Sequence, residues 1–182
     1  GGLVAARAMR LRGIEVDLVE KEPVWTVYGV GIIQPNNFLR AMDRAGLAEP
    51  CLAAGDAFAG WRIHDAEGNV LADPPGSRAA APHLPANNGI TRPKLHEVLV
   101  KGAQDAGVGI RLGTTVTDFH DDGAGVDATF SDGLKDRYDL VIGYDGAFSQ
   151  PRQRLFGDQY VPKFNGQGVW RYNFVRPAEM DN

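Results

Sequence analysis

The chain has a single cysteine, Cys51, in 182 residues. That excludes an internal disulfide framework and suits a reducing compartment, so the expected location is cytoplasmic. There is no excess of positive charge: 19 Lys and Arg stand against 23 Asp and Glu, for a net charge of −4. Nothing of that kind points to nucleic acid. No apolar run approaches the roughly 20 residues of a membrane-spanning helix, and no signal-peptide pattern is visible. Internal repeats and heptads are absent. The four histidines, His64, His83, His96 and His120, have no metal-ligand spacing with the cysteine or an acidic cluster, so no metal site is expected. What remains is ordinary globular composition, 43% hydrophobic and 23% charged, in a chain long enough to bury a core.

The first twenty residues, GGLVAARAMRLRGIEVDLVE, carry the most information. Gly1-Gly2 reads as a tight turn, and residues 3–12 as a helix with Ala5, Ala6, Met9 and Leu11 on its buried side. Gly13 is placed to end that helix, because glycine takes a left-handed conformation without strain. Ile14, Val16, Leu18 and Val19 then read as a short buried strand with Glu20 at its carboxyl end. This is the back half of a strand–turn–helix–strand unit that binds a dinucleotide. A helix start offers unpaired N–H groups and partial positive charge to a pyrophosphate. The phosphate can approach only where side chains are missing, which calls for glycine. The pattern G-x-G-x-x-G is followed about twenty residues on by an acidic side chain that accepts from ribose hydroxyls. Gly2 fits the third glycine, and Glu20 lies eighteen residues later. On this reading the first two glycines and their strand precede Gly1. A buried helix–strand pair with an incidental Glu would have the same residues.

Further along, residues 21–37 read as a loop, with Gly29 and Gly31 flanking Val30. Tyr28 and Gln34 are its polar candidates for facing a flat ligand, against the alternative of an ordinary surface loop. Residues 37–45 read as an amphipathic helix capped by Asn37, with Phe38, Leu39 and Met42 inward and Gly46 as its stop. Residues 47–88 read as an irregular excursion holding one hairpin with its turn near Glu67-Gly68-Asn69. Arg92-Pro93 opens a helix with the stripe Leu95, Val98, Leu99, ending near Gly107. Val108, Ile110 and Leu112 form a strand, and the following segments to Asp139 form a β-meander split by Asp-Gly turns. Leu140, Val141 and Ile142 read as a buried strand, with Gly143, Asp145 and Gly146 at its carboxyl end and a short helix opening at Ser149 and Arg152.

Four blocks in order, GG…GIEVDLVE, GVGIIQPNNFLRAM, ITRPKLHEVL and DLVIGYDGAFSQPR, resemble the flavin-dependent aromatic hydroxylases, the single-component FAD monooxygenases similar to para-hydroxybenzoate and salicylate hydroxylases. They span most of residues 1–157. The resemblance implies an α/β fold: a Rossmann-like FAD-binding domain over 1–157, with inserted hairpin and meander, and the start of a substrate-binding β-sheet domain over 158–182. It implies FAD as cofactor, NAD(P)H and O₂ as co-substrates, and a small aromatic, phenolic or related, substrate. It places Gly1 and Gly2 at the pyrophosphate, Glu20 on the adenosine ribose with Lys21 beside it, and Arg92 on the phosphate–ribityl region. Val116 falls where backbone meets adenine. Asp145, Gly146, Ser149 and Arg152 match a D-G fingerprint implicated in FAD and NAD(P)H binding, with Tyr144 where a small residue is usual. It assigns no catalytic residue. A flavin reductase or oxidase on the same fold, or a non-catalytic nucleotide-binding fragment, would carry the same nucleotide motifs.

Overall fold

The computed structural model describes residues 1–172 and Val175. Helix α1 (Gly2–Arg10) leads through Gly13, at φ 78°, into strand β1 (Asp17–Glu20). β1 pairs in parallel with β7 (Gly109–Leu112), with Glu20 opposite Leu112. Parallel strands need a long crossover, and here the whole intervening chain supplies it. Helix α4 (Arg92–Asp105) precedes β7 and packs on α1. Ala6, Ala103 and Val108 are buried between them, with Leu3, Val16, Leu18 and Ile110 against the cluster. Small residues at the contact let the two helix backbones come close.

A second layer is built on an antiparallel sheet of β2 (Gly31–Pro35), β6 (Asn87–Thr91) and β3 (Asp56–Phe58), in the order β2-β6-β3. Helices α2 (Asn36–Arg44) and α3 (Ala48–Ala54) pack beside it. Leu39, Met42, Leu47, Cys51 and Leu84 are buried here, and Leu95, Val98 and Leu99 of α4 join them. Arg7 ties this layer to α1: its guanidinium donates to Ala45 O at 2.7 Å and to Gly102 O at 2.6 Å. Strands β4 (Ile63–His64) and β5 (Val70–Ala72) form the expected hairpin. In its turn Asp65 accepts from the backbone N–H of Glu67 and Asn69, and Gly68 takes φ 89°. The meander is also present, as β8 (Val116–Asp121), β9 (Val126–Phe130) and β10 (Lys135–Tyr138) in the order β10-β9-β8.

Several expectations are corrected. The first strand begins at Asp17, and Ile14 and Leu11 are exposed. Residues 21–37 are not loop throughout, because Ile32 and Ile33 lie in β2 and their backbones pair with β6. Asn37 does not cap α2. Pro35 holds the cap position, and it is Asn36 that turns inward, donating to Ala81 O and Pro85 O and accepting from Ala81 N. The 47–88 stretch contains α3 and β3, whose lengths of seven and three residues carry too little periodicity to read. Residues 140–142 form no strand, and Leu140 and Ile142 are 67% and 46% exposed. The β-branched run there finds no neighbouring strand among the described residues, and strand formation depends on a partner's hydrogen bonds more than on propensity. The strand expected after residue 158 is not seen in the described part, where Gly157–Tyr160 is a 3₁₀ turn and 161–172 is irregular. Its remainder lies outside the described residues.

Candidate functional site

The expected site residues fall at three places: the start of α1, the carboxyl end of β1 and the start of α4. The first is the helix start. Gly2 is the first residue of α1, and no side chain caps the helix. The earliest bond of its ladder runs from Ala5 N to Gly1 O at 3.1 Å. The N–H groups before it have no partner within the helix, which leaves a positive, donor-rich end. Tyr144 lies against this turn: a Cβ on Gly1 would fall 2.6 Å from Tyr144 Cδ1, and one on Gly2 would fall 3.6 Å from Tyr144 Cβ. Gly1 and Gly2 are thus brought beside the Asp145-Gly146 turn, across more than 140 residues of chain. Asp145 Oδ2 accepts from Gln150 N at 3.1 Å, which fixes the turn, and Gly146 has φ 78°, a value that favours glycine. Ser149 caps helix α5 (Gln150–Phe156), accepting from Arg152 N at 3.1 Å, as the sequence suggests. The Arg152 guanidinium turns back onto the carbonyls of Gly146 and Ala147.

The second place is the end of β1. Glu20 Oε1 accepts from Glu22 N at 3.0 Å, so its carboxylate is held in the turn. Its backbone oxygen accepts from Thr114 N at 2.9 Å, which brings the β7–β8 connection alongside and puts Val116, half-buried, two residues further on. Lys21 is exposed and lies 3.7 Å from Glu22.

The third place is the start of α4. Thr91 caps that helix, accepting from Lys94 N. Arg92 N donates to Val30 O at 3.0 Å, and the Arg92 side chain lies along Gly29, where a Cβ would fall 3.0 Å from Arg92 Cδ and 3.7 Å from Nε. Gly29 has φ 111°. The bare Gly29 backbone therefore makes room for the guanidinium, a glycine with a local steric reason.

Next to it an open groove of about 360 Å³ is lined by Trp25, Val27, Pro93, His96, Val100 and Gln104 among others. Trp25 and His96 meet edge to face, with centroids 4.9 Å apart. Burial pushes the His96 imidazole below the usual histidine range, against the opposing pull of the Glu20 and Glu97 carboxylates. The sign follows from which state binds the proton first. With the folded value depressed, the unfolded chain takes up a proton first as pH falls through about 6.5. His96 therefore contributes stability at pH 7.5 that declines below that point and is gone once pH passes the folded value. Urea midpoints at pH 7.5 and 5.5 are expected to fall less in His96→Phe, which keeps the edge contact with Trp25, than in the parent. Equal falls would contradict this.

Of the loop candidates, Tyr28 is 84% exposed, and Gln34 points into the interior rather than the loop. Arg7, Thr114 and the contacts of His96 with Trp25 and of Gln34 with Asn88 have no mark in the sequence. Each is defined by a partner tens of residues away, and no local spacing marks it. Among the described residues no group of three or more His, Cys, Asp or Glu side chains could hold a metal ion, and no helix is long and apolar enough to cross a membrane.

Comparison with known proteins agrees with this geometry. The family model described as FAD binding domain matches residues 1–169. The chain is 32% identical over 177 residues to the putative FAD-dependent monooxygenase YetM of Bacillus subtilis, covering 97% of this chain and 48% of that protein. It is 30% identical over 179 residues to 6-hydroxynicotinate 3-monooxygenase of Pseudomonas fluorescens, covering 97% and 46%. It thus spans somewhat less than half the length of these relatives. Among solved structures, the tetrameric form of 2-methyl-3-hydroxypyridine-5-carboxylic acid oxygenase is similar at TM-score 0.67 and 27% identity, covering 81% of this chain and 37% of that one. CtdE in complex with FAD and a substrate shares the fold at TM-score 0.77 and 24% identity, covering 91% and 40%. With its side-chain-free helix start, its acid at the end of a parallel strand and a family match across 169 of its 182 residues, the chain belongs to the FAD binding domain family, in the company of FAD-dependent monooxygenases.

Proposed function

We propose that the whole protein is an FAD-dependent monooxygenase that uses NAD(P)H and O₂ to hydroxylate a small aromatic ring. The observation that carries the cofactor reading is the juxtaposition of a glycine helix start with the Asp145-Gly146 turn, and of Glu20 with the β7–β8 connection. These residues fit FAD in their donor and acceptor chemistry: a glycine helix start with free N–H groups for the pyrophosphate, with the Tyr144 side chain packed beside it, and a carboxylate for the ribose hydroxyls. Gly1 and Gly2 present N–H groups to the phosphates. Glu20 accepts from the adenosine ribose, with Lys21 beside it. Arg92, steered by Gly29, donates to the phosphate–ribityl region. The backbone at Val116 borders the adenine. Asp145 and Gly146 hold the turn that closes over the helix start. Bound FAD supplies electron transfer from NAD(P)H and activation of O₂, while this chain binds, orients and excludes water. Relatives named 6-hydroxynicotinate 3-monooxygenase support an aromatic ring as substrate.

The test is ¹⁸O₂ labelling of the full-length gene product, with NADH or NADPH and a panel of hydroxylated aromatic and pyridine substrates. The expected result is label in a hydroxylated product, with NAD(P)H consumed faster when substrate is present. Substrate-dependent NAD(P)H oxidation with an unlabelled, reduced product would instead identify a reductase.

A further inference from the structure

Beyond the buried Asn36 that follows it and bonds to Ala81 and Pro85, strand β2 has few side chains of its own to hold it in register. Its only buried side chain is Gln34; Ile32 and Ile33 are more than a third exposed. A strand without a buried apolar face slips easily, because no hydrophobic set is lost when it moves. Gln34 and Asn88 are both fully buried and stand directly opposite each other on β2 and β6. Asn88 Nδ2 donates to Gln34 Oε1 at 2.8 Å and to Cys51 O, in α3, at 3.0 Å. The Asn88 amide lies against Gly55, where a Cβ would fall 2.6 Å from Nδ2. The pair is costly as well: Gln34 Nε2 and Asn88 Oδ1 are buried with no hydrogen-bond partner. A buried polar pair with unused bonding capacity adds little stability, but it does distinguish one register from its neighbours.

That register sets the arrangement at the start of α4. With Gln34 opposite Asn88, Gly31 stands opposite Thr91, and the ladder ends in the bond from Arg92 N to Val30 O. Gly29 then falls under the Arg92 side chain. A slip by one residue would put Tyr28 or Val30 there, with a Cβ in the space that Gly29 leaves open. We propose that Gln34 and Asn88 are positioning residues for Arg92, fixing through the β2–β6 register where its guanidinium stands. This rests on the reading of Arg92 as a contact of FAD.

Gln34→Met keeps the length of the side chain, removes the unpaired Nε2 and leaves Asn88 bonded to Cys51 O. In the full-length gene product its melting temperature is expected to stay close to the parent's, while FAD affinity, read by flavin fluorescence titration, falls about tenfold. Arg92→Ala is expected to weaken FAD about ten- to a hundredfold in the parent, the size of lost charged hydrogen bonds, but only about twofold in the Gln34→Met background. The exchanged pair, Gln34→Asn with Asn88→Gln, retains an amide bond across the strands and is expected to bind FAD within about threefold of the parent and better than Gln34→Asn alone. This keeps the proposal testable if Gln34→Met fails to fold. Unchanged affinity in Gln34→Met, an undiminished Arg92 penalty in that background, or an exchanged pair no better than Gln34→Asn alone would each overturn the positioning role while leaving FAD binding intact. A parent protein that binds no FAD would overturn the cofactor reading itself, and the positioning role with it.

Discussion

Replacing Glu20 by Ala is expected to weaken FAD binding by the full-length protein about ten- to a hundredfold, or roughly 1–3 kcal/mol, the size of lost charge-assisted hydrogen bonds. The carboxylate stands at the carboxyl end of a parallel strand, the edge of an open α/β sheet where ligands bind. It is already oriented, because Oε1 accepts from Glu22 N at 3.0 Å and the strand itself is registered on β7. Little conformational freedom is therefore lost when the ribose hydroxyls arrive. Glu20→Gln keeps an acceptor without the charge and is expected to fall between the two. Titration of apoprotein with FAD measures both. A folded Glu20→Ala protein with the parent's dissociation constant would remove this residue from the site.

The second large effect is on stability. Leu39 is fully buried at the centre of the α2–α3 layer, in the cluster that includes Met42, Leu47 and Cys51 and receives Leu95, Val98 and Leu99 from α4. Leu39→Ala is expected to cost about 2–5 kcal/mol, from the lost burial of three side-chain carbons plus the cavity left behind. Leu39→Met conserves volume and is expected to cost less than about 1.5 kcal/mol. Chemical denaturation compares the two. The contrast matters for function because this cluster supports both α4, which carries Arg92, and the β2–β6 sheet. Equal destabilisation by Ala and Met would mean that packing volume is not what Leu39 contributes.

The parts of the fold that were legible in the sequence are those with a local physical cause. Gly13 and Gly107 stop their helices because each takes a positive φ that other residues rarely adopt. The Glu67-Gly68-Asn69 turn was legible because Asp65 and a glycine are what such a turn requires. The stripe Leu95, Val98, Leu99 appeared at helical spacing and does face the core. Elements made by distant partners were not legible. Strand β2 exists because β6 pairs with it, and Gln34, a polar residue in an apparent loop, becomes one of the most buried side chains when it meets Asn88. Leu140–Ile142 shows the converse: a β-branched, apolar run with no strand beside it among the described residues stays irregular and exposed. Of the candidate site, Gly2 and Glu20 are the residues that spacing singles out. Their proximity to Tyr144 and Thr114 was not legible, since those partners lie more than ninety residues further along the chain.

The central claim is that this chain is built around an adenine dinucleotide flavin, and the most direct measurement is the identity of the bound cofactor. The full-length gene product is purified, or reconstituted with a mixture of flavins, and the ligand is released by denaturation and separated by chromatography. The expected result is FAD close to one per protein, because a glycine helix start and an acid at the end of a parallel strand suit the pyrophosphate and adenosine that FMN lacks. Recovery of FMN alone, or of no flavin after reconstitution, would contradict it.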